Sequence, residues 1–108
     1  MTIYYDEARY ELNADQKRQL RLIAPGLKQI QGYWIVIQGH TNSKGSAEYN
    51  YELSRKRAQL VKEYLVQLGV PSELISPDYY GESRLVEGNS PGDQRQLSRR
   101  VRILLQKR

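Results

Sequence analysis

Residues 52–68 read ELSRKRAQLVKEYLVQL, and the placing of apolar side chains in that stretch decides the fold. Leu53, Leu60, Val61, Tyr64, Leu65 and Leu68 recur at intervals of three and four, the spacing of a helix with one face toward a core. At about 100° per residue, Arg57 falls on that same face, one turn from Leu53 and one from Val61. A guanidinium keeps its proton under ordinary conditions, so one set against a core needs an anionic or carbonyl partner to offset its desolvation. Arg57 is therefore predicted to lie shielded at the base of a cleft formed with the loop at 41–45. Its main partner is expected to be a ligand, so Arg57→Ala is expected to weaken ligand binding without unfolding the domain.

Outward from this helix, YWIVIQG at 33–39 is the strongest strand signal in the chain and apolar enough to be central. Residues 40–49 are polar and read as a loop, and the helix stops at Gly69 before Pro71. Upstream, TIYYDE reads as a short strand and Asn13 as the cap of a helix carrying Leu20, Ile23, Leu27 and Ile30 on one stripe. Pro25 and Gly26 predict a kink or break in it. Downstream, residues 71–75 read as a single turn, 76–80 as a strand, 81–96 as a long polar loop, and RRVRILLQ at 99–106 as the last strand. This order predicts a two-layer α/β sandwich, βαβαβ-β, with one four-stranded mixed sheet and two main helices, near 14–30 and 50–68, on one face.

The chain has 108 residues, a formal charge of +5, no cysteine, one histidine and nine tyrosines. Its length fits a single domain spanning 1–108. Neither a membrane span nor a signal peptide is visible, so any anchor is expected outside this sequence. The absence of cysteine excludes disulfides and thiolate-bound zinc, and His40 alone makes a poor metal ligand. Ser43 and Ser46 near His40 do not form a recognisable nucleophile motif, so catalysis is not expected. The basic residues are interspersed with acidic ones, and the tyrosines follow no nucleic-acid signature. Neither cofactor nor metal nor nucleic acid is predicted.

Gly39-His40-Thr41-Asn42, Gly45, Asn50, Leu53-Ser54, Arg57-Ala58, Val61, Leu65 and Gly69 resemble the carboxy-terminal peptidoglycan-binding domain shared by outer-membrane protein A, the peptidoglycan-associated lipoprotein and the flagellar stator protein MotB. Ile3-Tyr4-Tyr5-Asp6 with Tyr10-Glu11-Leu12, Gly81-Glu82-Ser83 and Arg99-Arg100-Val101 extend the likeness over essentially the whole chain. The resemblance implies a non-enzymatic, periplasmic, wall-anchoring domain tethered to the inner or outer membrane in the full-length protein. It implies that Arg57 grips a carboxylate of diaminopimelate in the peptidoglycan stem peptide, with a loop aspartate on the ammonium. Two positions depart from the pattern: the loop aspartate is Asn42, and the asparagine before the Arg-Arg pair is Ser98. A neutral acceptor at 42 removes on the order of 1–3 kcal/mol, one to two decades of affinity.

The candidate ligand-binding residues are thus Arg57, Asn42, Thr41, Ser43, Asn50, Asp6, Arg99 and Arg100. Asn50 could hydrogen-bond a ligand, but its place before the helix makes N-capping the stronger reading. Of Arg99 and Arg100, which alternate along a strand, one is expected to face the site and the other solvent. The alternative function is a protein-interaction module in a secretion, motility or conjugation apparatus, partnered by envelope-complex proteins, with wall binding lost or altered.

Overall fold

The apolar periodicities resolve, in a computed structural model that describes residues 1–83 and 97–108, into β1 (Thr2–Tyr4), α1 (Ala14–Gln29), β2 (Tyr33–His40), α2 (Ala47–Gln67), a 3-10 turn (Ser72–Leu74), β3 (Ile75–Tyr79) and β4 (Arg100–Lys107). The sheet order is β1-β4-β2-β3. β2 runs parallel to β3, while β4 lies antiparallel to both β1 and β2. The two-layer α/β sandwich with one mixed four-stranded sheet is therefore as expected. The loop expected over 81–96 lies, beyond Ser83, outside the described residues.

One face of the sheet offers Ile3, Ile35, Ile37, Val101 and Ile103, and against it pack Leu20, Ala24 and Leu27 of α1 with Ala58, Val61 and Leu65 of α2. The period of two along the strands and of 3.6 along the helices meets in this single layer. No helix among the described residues is long and apolar enough to cross a membrane.

Helix ends depend on who satisfies the first free amides. At α1, Asn13 Oδ1 accepts the Gln16 amide and Gln16 Oε1 accepts the Asn13 amide, each at 2.8 Å. Gln16 Nε2 continues to the Tyr4 carbonyl at 2.8 Å, fastening the helix start to β1. Asn13→Ala is expected to cost about 1 kcal/mol, read as a lower urea midpoint at unchanged slope.

Two local expectations are corrected. α1 runs unbroken through Pro25: proline removes one backbone bond, and Pro25, Gly26 and Arg21, whose carbonyl is freed, all lie on the exposed side. α2 begins at Ala47 rather than near Asn50, because Ser46 Oγ accepts the Tyr49 amide at 3.1 Å and takes the capping role.

α2 sits directly on β2 where Gly39 leaves room. A Cβ at Gly39 would stand 2.2 Å from the Ser54 carbonyl oxygen and 3.3 Å from Ala58 Cβ. Ser54 Oγ donates to the Tyr51 carbonyl (2.7 Å) and accepts the Gly81 amide (2.9 Å). The Thr41 amide donates to the Gly81 carbonyl at 2.8 Å. Glycine at 39 and serine, arginine and alanine at 54, 57 and 58 are therefore parts of one close helix–sheet contact.

Candidate functional site

Close approach of α2 to β2 carries Arg57 to the end of the sheet, where it is fully shielded from solvent. Its guanidinium is met by main chain: Nε donates to the Arg9 carbonyl (2.7 Å), Nη1 to the His40 carbonyl (2.9 Å) and Nη2 to the Asp6 carbonyl (3.3 Å). The Tyr5 ring lies beneath it, 4.7 Å from centroid to Cζ. Burial pushes the guanidinium down to about 10, opposed by Tyr5 and reinforced by the like charge of Arg99. The group thus remains charged across the neutral range. Because this pKa is depressed, protonation opposes folding by a constant amount below about pH 10, and Arg57 adds no slope to stability between pH 5 and 8.

These carbonyls correct the expectation that Arg57 has mainly a ligand for its partner. The arginine clamps the segment after β1, the end of β2 and α2 together. A guanidinium has five N–H groups, and the three bonds leave one on each terminal nitrogen. Arg57 lines a cleft of about 40 Å³ together with Glu7, Asn42, Lys44, Asn50 and Arg99.

Thr41 and Asn42 are both buried beside it. Thr41 Oγ1 donates to the Asn42 carbonyl at 3.0 Å, and Asn42 Oδ1 accepts the Lys44 amide at 2.9 Å. Such a side-chain-closed turn is natural for asparagine or aspartate. Asn50, 1 % exposed, lies inside α2, and its Nδ2 donates to the Lys44 carbonyl (3.1 Å) and to Glu82 Oε1 (3.3 Å). It pins the β2–α2 loop from below, which corrects its reading as a helix cap.

Arg99 lines the cleft and donates through Nε to the Tyr5 carbonyl at 2.9 Å. Arg100 does not face solvent as expected: it is 8 % exposed and its Nη1 donates to the Ser98 carbonyl at 3.3 Å. Ser43 is exposed and outside the cleft lining, and Asp6 offers Arg57 its carbonyl while its side chain is exposed and also outside that lining. His40, 1 % exposed, stacks on Tyr80 with ring centroids 5.1 Å apart, a place that suits the turn-holding role expected of it. Sequence reasoning missed Glu7, Ala8, Lys44, Tyr49 and Leu53 in the lining. Leu53 carried only a core signal, and Glu7 and Lys44 are ordinary surface residues by type.

The fold is thus a two-layer α/β sandwich that holds a buried, main-chain-clamped arginine beneath a small polar cleft. The chain belongs to the OmpA family, which matches residues 4–99. This is a family of non-enzymatic peptidoglycan-binding domains. The chain is 33% identical over 105 residues to a peptidoglycan-associated lipoprotein of Buchnera aphidicola, covering 97% of this chain and 61% of that protein. It is 47% identical over 58 residues to outer membrane protein A of Serratia marcescens, covering 54% of this chain and 16% of that protein. In structure it is similar to the peptidoglycan-associated lipoprotein of Burkholderia pseudomallei, with TM-score 0.87, 30% identity, and 97% and 89% of the two chains covered. The chain spans about 60% or less of the length of these curated relatives.

Proposed function

We propose that this chain is the wall-binding domain of a periplasmic envelope protein, tethered to a membrane through a segment outside this sequence, and that the Arg57 cleft receives a carboxylate of the diaminopimelate stem peptide. The observation that carries this reading is the buried guanidinium with two N–H groups beyond its three carbonyl bonds, at the base of a polar cleft. A planar fork of two N–H groups suits a carboxylate oxygen pair, and Arg99 adds a second positive charge on the same side. The name of the Buchnera relative, a peptidoglycan-associated lipoprotein, supports peptidoglycan as the class of partner. Asn42 supplies the turn that holds the loop against the cleft, Asn50 braces that loop, and Thr41 links it to the chain after β3.

Asn42 gives the test. Aspartate at 42 keeps an oxygen for the Lys44 amide and adds a negative charge for the ligand's ammonium. Asn42→Asp is expected to tighten binding of a soluble stem peptide by about tenfold, with greater salt sensitivity. Asn42→Ala loses the turn acceptor as well and weakens binding. Calorimetric titration of the three forms decides between outcomes. Equal affinity in all three removes position 42 from the site, and binding by none points instead to a protein-interaction module.

A further inference from the structure

The chain after β1 forms a turn in which the Arg9 amide donates to the Asp6 carbonyl at 3.2 Å and Ala8 takes φ 59°. The carbonyls of Asp6 and Arg9 are also two of the three that Arg57 grips. Glu7 is therefore held between two anchored residues. Among the described residues lining the cleft it alone carries a carboxylate, alongside Lys44, Arg57 and Arg99.

Glu7 Oε1 meets Lys44 Nζ at 2.7 Å, joining the β1–α1 turn to the β2–α2 loop. The two side chains are 52% and 65% exposed. An ion pair so exposed is worth about 0–1 kcal/mol, so another cation can compete with Lys44 for Glu7. The cleft behind the pair, about 40 Å³, has room for little more than a water molecule, and Arg57 has no solvent contact. A ligand carboxylate reaches the guanidinium only if part of this lining moves. Asn42 cannot hold an ammonium by charge, and its oxygen already accepts the Lys44 amide.

We infer that Glu7 is the residue that selects the ligand's ammonium, and that the Glu7–Lys44 pair is the closed form of the site. A zwitterionic amino-acid head displaces Lys44 from Glu7 with its ammonium while its carboxylate turns to Arg57 and Arg99. The negative charge missing at position 42 is thereby supplied by Glu7 from the turn after β1. This inference rests on the stem-peptide reading above and assigns one further residue within it.

The experiment is a calorimetric titration of the wild-type chain and Glu7→Gln with two probes: a soluble diaminopimelate-containing stem tripeptide, and the same tripeptide acetylated on its side-chain amine. The wild type is expected to prefer the free amine by about tenfold. Glu7→Gln is expected to bind both probes alike, at about the wild type's affinity for the acetylated one. Its thermal midpoint should stay close to wild type, because the lost ion pair is exposed. A variant that keeps the full preference overturns the assignment, as does a wild type with no preference. In either case carboxylate binding at Arg57 still stands. Binding of neither probe by the wild type overturns the stem-peptide reading and this inference with it.

Discussion

Arg57→Ala is expected to cost about 2–4 kcal/mol of folding stability and to lower the thermal midpoint by at least about 10 °C. The reason is what remains behind. The carbonyls of Asp6, Arg9 and His40 lose their shared donor, and the space beneath fills imperfectly beside Leu53 and the Tyr5 ring, whose hydroxyl has no hydrogen-bond partner among the described residues. Relief from burying a charge offsets part of the loss, so the cost falls short of three bare carbonyls. Arg57→Lys, which keeps a charge but lacks the planar fork, is expected to lie between the two. Circular-dichroism melts of the three forms read this order directly. A midpoint for Arg57→Ala equal to wild type would mean that the carbonyl clamp contributes nothing to the fold.

Gly39→Ala should be at least as damaging, with a loss of about 3 kcal/mol or more. Its Cβ would stand 2.2 Å from the carbonyl oxygen and 3.0 Å from the carbonyl carbon of Ser54. These are main-chain atoms of a helix and cannot turn aside like the end of a flexible side chain, so α2 has to lift from β2. Overpacking usually costs 1–3 kcal/mol, and a clash with backbone belongs at or above the upper end. Lifting α2 also parts Ser54 from the Gly81 amide and Arg57 from the His40 carbonyl. Trimming Ala58 to glycine should not rescue the variant, since the closest contact is to Ser54. Urea titrations of the single and double variants test this, and rescue by Ala58→Gly would place the strain at the side chain instead.

The α2 stripe and the misfit of Arg57 within it were legible because helical periodicity is a local property of seventeen residues. So was the capped start of α1, where Asn13 and Gln16 stand three apart. Asn50 was harder: helix starts are competitive, and Ser46 wins the capping position four residues upstream. Leu60, counted on the buried stripe, is only half-buried, because it flanks the contact with the sheet while Ala58 and Val61 face it. The burial of Arg100 could not be read from alternation alone, which tells which face a residue takes but not what covers that face.

Glu7 was illegible for a different reason. The turn at 6–9 places a positive φ on Ala8, whereas sequence reading looks for glycine or asparagine there. The three carbonyls on Arg57 come from residues 9, 40 and 6, far apart along the chain from residue 57. No local pattern announces that meeting. The sequence could say that Arg57 needed partners, and only the fold could say that main chain supplies three of them.

The central claim, that the Arg57 cleft binds the stem peptide of the cell wall, is tested most directly by sedimenting the folded wild-type chain with purified peptidoglycan sacculi, with and without an excess of soluble stem tripeptide. The account predicts that the chain sediments with sacculi and is released by the tripeptide in a dose-dependent way. A chain that stays in the supernatant, or one that sediments and is not released by any concentration of tripeptide, would contradict it.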